Sequence, residues 1–355
     1  MSANPLQTPW KSIQGRPFVV AAIDPTGSAD FGPSTPGTQS SGIAEALATG
    51  SDVFCARGTY HVSTPLVLNA GQRLTMARGA VLVPDANIDV IQIAPVKASA
   101  GGGPHLVGVH INDAHGNLTS GAGIHFLNAS SPVWDVRMEQ LRIENCWNAI
   151  VSDAPPTPSL GANGINRLYA KDIHIETFRN RGIFLQSFWD NVWEDVFIHE
   201  TAPTGNIGAP NIELHNGGGA SGTWFIRTKI LGNRVGNVSG TGMLIDNVAD
   251  FWLQDTFVNL CGGDGYQFSR SIDRLHSTGA KSIGCMTAGF NFLGNATGNA
   301  YFTGVESGLN KSYGIVSTPG DASLKVFWGP VLHANSLGPM SPAQLPGATF
   351  FAPAF

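Results

Sequence analysis

From residue 123 onward a short pattern keeps returning: a small residue, most often glycine, then an apolar residue, an outward residue and a second apolar one. Its copies are Gly123-Ile124-His125-Phe126, Ala149-Ile150-Val151, Gly182-Ile183-Phe184-Leu185, Asn211-Ile212-Glu213-Leu214, Gly242-Met243-Leu244-Ile245, Gly265-Tyr266-Gln267-Phe268, Gly289-Phe290-Asn291-Phe292 and Gly314-Ile315-Val316. Successive copies begin 26, 33, 29, 31, 23, 24 and 25 residues apart. That is the period of a β-solenoid whose coils are joined by loops of varying length. A globular sandwich would not hold a register this long.

Between the anchors runs a partner strand: Leu141-Arg142-Ile143-Glu144, Ile173-His174-Ile175-Glu176, Val196-Phe197-Ile198-His199, Phe225 to Ile230, and Thr256-Phe257-Val258. Apolar residues alternate with others, so one face of each strand enters a shared core and the other meets solvent. Stacked coils then pair in parallel, each strand buried only because its neighbours exist. Tyr266, Phe268, Phe290 and Phe292 fall on inward positions and are expected to stack, as is the inward register for Trp193 and Trp252, whereas Trp189 falls at a turn.

Composition agrees with many short strands and tight turns: 44 of 355 residues are glycine and only 13% are charged. A net charge of −5 argues against nucleic acid, whose phosphates need a surplus of Lys and Arg. Cys55, Cys146, Cys261 and Cys285 are too widely spaced for a zinc site and read as buried apolar fillers. Met1 through Lys11 lacks the features of an export signal, and no apolar run is long enough to span a bilayer.

Three segments are expected: residues 1–22, a solenoid over residues 23–328, and a tail over residues 329–355. A capping helix at about residues 40–49 has Ser40 at its start, Ile43, Ala46 and Leu47 on one side, and Gly50 as its stop. The tail carries Pro330, Pro339, Pro342, Pro346 and Pro353 and is expected to leave the ladder, since proline removes a strand donor.

Ile23-Asp24-Pro25-Thr26-Gly27-Ser28-Ala29-Asp30, then Thr38-Gln39 and the helix, then Arg57-Gly58-Thr59-Tyr60-His61-Val62, resembles the entry to the pectate-lyase-like β-helix superfamily, which includes bacteriophage tailspike depolymerases. The resemblance covers about the first 70 residues and implies an all-β, single-stranded right-handed parallel β-helix with a short N-terminal capping helix. It also implies a bacterial surface polysaccharide as partner and a place on a virion tail or outside the cell. Kinship with tailspikes implies a homotrimer; kinship with secreted enzymes implies a monomer. The motifs of polygalacturonases are not intact, and no dense acidic cluster suits calcium, so no metal or cofactor is expected.

Because coils stack about 4.8 Å apart, residues at one outward position form columns, and carboxylates one or two coils apart match the separations used in glycoside hydrolysis. The resemblance places the cleft along the anchor strands, which makes Glu213, Asp246 and Asp264 the first choice for acid and base, with His215 as orienter or proton shuttle. Asp246 and Asp264 also read as turn formers. A second column on the partner strands holds Glu144 with Glu176, flanked by His174 and His199, and reads equally as a solvated charge ladder. Trp189, Phe184 and Arg227 are expected to contact substrate. A lyase using His199, Arg227 or Lys229 as base, and a receptor-binding spike without catalysis, are the alternatives.

Overall fold

A computed structural model of the protein describes residues 18–23, 29–97, 102–113, 119–153, 163–200, 209–216, 220–232, 240–318, 321, 323–340 and 348–351. The chain is a right-handed parallel β-helix in which every coil presents three walls to solvent. The first wall carries the anchor strands, including Ala122–Phe126, Asn148–Ser152, Arg181–Gln186, Ile212–His215 and Phe290–Phe292. Each pairs in parallel with the coils before and after, so that His125 faces Val151, Val151 faces Phe184, Phe184 faces Glu213, and Glu213 faces Leu244.

Where the anchor is glycine, the next coil lies too close for a β-carbon. A β-carbon at Gly182, Gly242, Gly265 or Gly289 would stand 2.7 Å from the carbonyl oxygen of residue 211, 265, 289 or 314 in the following coil. None of these four has a left-handed backbone, so close approach and not torsional freedom selects the residue.

The second and third walls arise from bent strands such as Arg137–Glu144, Tyr169–Glu176 and Val192–His199. The bend is a column of left-handed residues, Gly108, Gln140, Asp172, Asp195, Arg227, Asp255, Gly279, Gly304 and Gly329, with φ between 51° and 68°. Residues 137–139, 169–171 and 192–194 lie on the second wall, and the partner strands expected from sequence lie on the third. The stretch from Phe225 to Ile230, expected as one strand, is therefore two, Ala220–Ile226 and Lys229–Leu231, divided at Arg227. A small three-stranded sheet, Val133–Trp134, Ile165–Asn166 and Phe188–Trp189, leads from the first wall to the second.

Inward columns fill the core. Tyr266 stacks on Phe290 at 5.0 Å and Phe268 on Phe292 at 4.8 Å between ring centroids, as their register requires. Trp193 is fully buried against Phe225, and the four cysteines are buried and unbridged. Trp252 does not point inward: the left-handed residue at Asp250 shifts the register, so Phe251 and Leu253 enter the core. Trp252 stacks outside between Trp224 at 4.4 Å and His276 at 5.9 Å.

The helix Ile43–Ala48 covers the first coil with Ile43, Ala46 and Leu47 buried. Its cap differs in detail from the expectation: Gly42 is the N-cap, in left-handed conformation, while Ser40 Oγ accepts the Ala44 N–H and Thr38 Oγ1 accepts that of Gly42. Asp24 to Ser28 lie outside the described residues. Tyr60, from the entry motif, is buried with its hydroxyl against the carbonyls of Ala56 and Ala21, at 2.6 and 3.0 Å.

Two expected boundaries do not interrupt the ladder. Strand Phe18–Ala21 already pairs with Asp52–Cys55, ahead of residue 23. In the tail, Val331–His333, Gly338–Met340 and Ala348–Phe351 each extend a wall by one more strand. Pro330 follows the corner at Gly329 and Pro339 stands in the strand Gly338–Met340, while Pro342, Pro346 and Pro353 lie outside the described residues.

Candidate active site

The first wall brings Glu213, His215 and Asp246 together. Glu213 and His215 both project outward from strand Ile212–His215, two residues apart, and His215 is paired in register with Asp246 one coil on. His215 Nε2 meets Glu213 Oε1 at 2.7 Å and His215 Nδ1 meets Asp246 Oδ2 at 2.6 Å. Arg181 Nε donates to Glu213 Oε2 at 2.5 Å, and Arg270 donates Nε to Asp246 Oδ1 at 2.6 Å and Nη2 to Oδ2. Phe184 is wedged beside this chain, under the Arg181 guanidinium at 4.4 Å and edge-on to His215 at 5.9 Å.

The network fixes its protons. Burial alone would lower the pKa of His215, but hydrogen bonds to Asp246 and Glu213 outweigh it and push the imidazole up to about 9. Burial would raise Asp246, yet hydrogen bonds from Arg270 and His215 hold it down at about 2. Glu213 is likewise lowered against burial by His215 and Arg181. Near neutral pH the cluster is thus an imidazolium between two carboxylates, flanked by two guanidiniums. The side chain of His215 is 27% exposed against 11% for Glu213 and 6% for Asp246, so the proton carrier is more open to a ligand than either carboxylate.

A second carboxylate–imidazole–carboxylate group stands on the same wall. His125 Nδ1 meets Asp89 Oδ2 at 2.7 Å and its Nε2 meets Asp153 Oδ1 at 2.9 Å. Burial would lower the imidazole's pKa, but the two carboxylates raise it.

Asp264 does not join the network. Its oxygens accept from Gln267 Nε2 at 2.7 Å, Ala288 N–H and Asn291 Nδ2 at 2.8 Å each, and Thr287 Oγ1, which ties it into the turn before its strand. Trp189 is half-buried, its ring so close to Gly164 that a β-carbon there would lie 1.6 Å from Cζ3. Arg227 sits at the corner of the second and third walls, bound to Asp195 at 2.6 and 3.0 Å and to Glu194 at 2.5 Å.

The partner column has the register expected of it, with Glu144 opposite Glu176 and Glu176 opposite His199. Its groups are spent on each other: His110 meets Glu144 at 2.6 Å, Arg142 donates to Glu144 at 2.7 Å, and His174 meets Glu176 at 2.8 Å. His199 lies beside Phe197, and Lys229 stands over the Phe197 ring at 5.8 Å, both on the third wall.

Sequence reasoning missed Arg181 and Arg270. Arg181 is the residue before an anchor glycine, a position that could have been read as outward. Arg270 reaches the wall only because it is left-handed at φ 55°, a corner no sequence pattern marks.

The fold is that of a known class of elongated proteins. Over 87% of this chain it superposes on the mannuronan C-5 epimerase AlgE4 A-module of Azotobacter vinelandii, covering 93% of that chain with a TM-score of 0.56 at 12% identity. It is similar to ORF18 of Geobacillus virus E2, with a TM-score of 0.53 and 12% identity over 87% of this chain and 62% of that one. Tailspike protein 2 of the Escherichia coli O157:H7 bacteriophage CAB120 matches with a TM-score of 0.51 and 9% identity, over 87% of this chain and 39% of that one. No family model matches the chain, and no curated protein does. No helix among the described residues is long and apolar enough to cross a membrane.

Proposed function

We propose that the protein grips an extended polysaccharide along its first wall and cuts it by glycoside hydrolysis at Glu213, His215 and Asp246. The observation that carries this reading is the half-buried imidazolium of His215 held between two buried, ionised carboxylates on one outward column. Gln186, His215, Asp246 and Ser269 follow one another there at the coil spacing, about 4.8 Å. A polymer lying along the coil axis meets one such group per rung. Structural relatives that act on mannuronan, and tailspikes among them, support the polysaccharide class.

The roles follow from the proton distribution. His215 carries the proton and donates it to the glycosidic oxygen, exchanging one of its carboxylate bonds for the substrate. Asp246, held at about 2 by Arg270, is a weak base and serves to hold the imidazolium. Glu213, which is bound by His215 and Arg181, takes the role of the base that activates water. Arg181, His215 and Arg270 against Glu213 and Asp246 leave one excess positive charge, which suits an acidic glycan.

The test is to incubate the protein with bacterial capsular polysaccharide and follow chain length by size-exclusion chromatography. The wild type is expected to shorten the polymer, and Glu213→Gln with Asp246→Asn to leave it intact. Products absorbing in the ultraviolet from a new double bond would replace hydrolysis by elimination. Binding without shortening would leave a receptor-recognition spike. The same reading places the protein on a virion tail or outside the cell as a homotrimer, which light scattering checks.

A further inference from the structure

On the second wall, away from the His215 cluster, lies a cavity of about 610 Å³, within the usual size of a ligand pocket. Gly102, Gly103, His105, Asp135, Arg137, Arg167 and Tyr169 line it. It exists because Gly103 crosses the small sheet in contact: a β-carbon there would fall 2.2 Å from Trp134 O and 2.6 Å from Asp135 O. No side chain from this crossing can fill the space in front of His105.

The lining sets two guanidiniums against the one carboxylate of Asp135, leaving the charge of Arg137 in excess, and it is preorganised. Arg137 is paired in register with His105 on one side and Tyr169 on the other, so the three project from successive rungs. Arg137 is exposed and has no carboxylate within salt-bridge distance among the described residues. Arg167 is fixed from two sides, donating to Asp135 at 2.8 Å and resting over the Trp134 ring at 4.9 Å. Tyr169 is pinned by its hydroxyl, which donates to Glu194 at 2.9 Å. His105 meets Glu139 at 3.2 Å; burial, then Arg73 and Arg137 on the neighbouring rungs, keep its pKa low, so the imidazole is neutral.

We infer that this pocket is a second saccharide site, one that takes the carboxylate of an acidic sugar on Arg137. A guanidinium free of an internal partner binds a planar carboxylate through two parallel hydrogen bonds. Tyr169 offers the apolar ring on which a sugar's C–H face rests, and neutral His105 supplies a hydrogen bond to a hydroxyl. Arg167, neutralised by Asp135, leaves Arg137 as the free charge of the pocket. The pocket shares with the function proposed above only the acidic polymer as ligand, and rests on that reading to that extent. It assigns no chemistry to these residues: they hold the chain while another wall acts on it.

The test is titration calorimetry with a galacturonate trisaccharide, a neutral glucose trisaccharide and inorganic phosphate, backed by crystals soaked in the galacturonate. Arg137→Ala, whose side chain lies on the outside of its strand, is expected to fold with an unchanged melting profile and to weaken galacturonate binding at least tenfold, with Arg137→Lys in between. In the soaked crystal the carboxylate is expected within hydrogen-bonding distance of Arg137. The galacturonate is expected to bind this pocket equally in Glu213→Gln/Asp246→Asn, so a failed hydrolase reading would leave the site standing. Unchanged affinity in Arg137→Ala, phosphate binding as tightly as the galacturonate, or density only at His215 would each overturn the inference.

Discussion

At Gly265 a β-carbon would stand 2.0 Å from Ser282 Oγ and 2.7 Å from the carbonyl oxygen of Gly289, both fixed by the neighbouring strands. Gly265→Ala is therefore expected to cost about 1 to 3 kcal/mol, the usual penalty of overpacking, read as a lower urea midpoint at unchanged slope. His215 makes a different demand, on pH. Its pKa rises on folding from 6.5 to about 9, so its stabilising contribution is complete below about 6.5 and is lost as pH climbs through about 9. Asp246 moves the other way, from 3.8 to about 2, and its contribution is complete above about 3.8 and lost as pH falls through about 2. The melting temperature of the wild type is expected to drop toward pH 10 more than that of His215→Gln; equal drops would detach the imidazolium from stability.

Among the elements, strand Leu324–Trp328 holds the most exacting contact. Lys325 takes an inward place, paired with Ala300 and Ala348, and its ammonium is fully buried. It meets Asp321 at 2.5 Å, donates to Ser323 O at 2.8 Å and stands over the Phe292 ring at 4.9 Å, while Ser317 Oγ donates to Asp321 at 2.5 Å. Removing one partner strands the other charge, so Lys325→Met is expected to lose about 3 to 5 kcal/mol in urea unfolding, and adding Asp321→Asn to recover much of it. Elements differ in how plainly the sequence announces them. Anchor strands are legible because a small residue, glycine in six of the eight copies, returns ahead of an alternating apolar pair. The second wall is hidden because its corners are Gln140, Asp172 and Arg227 as often as glycine, and a left-handed corner leaves no periodic trace. The same blindness misplaced Trp252 and concealed Arg270, whereas the shared column of Glu213, His215 and Asp246 could be read because it follows the legible strands. Prolines misled in the tail, where Pro339 stands within a paired strand.

As a whole the molecule is a stack of coils whose N-terminal end is covered by the helix Ile43–Ala48. Ending the chain at residue 329 would strip the partner from Leu324–Trp328 and bare Phe327, which now stacks on Phe350 at 5.0 Å. Such a truncation is expected to associate with rising concentration in sedimentation velocity, an open strand edge being a template for another chain. Glycine anchors meeting carbonyl oxygens coil after coil also make the rungs interchangeable in their backbones. A duplicated rung could be slotted between existing ones as a tread is added to a staircase, lengthening the reach along a polymer while the catalytic step kept its own shape.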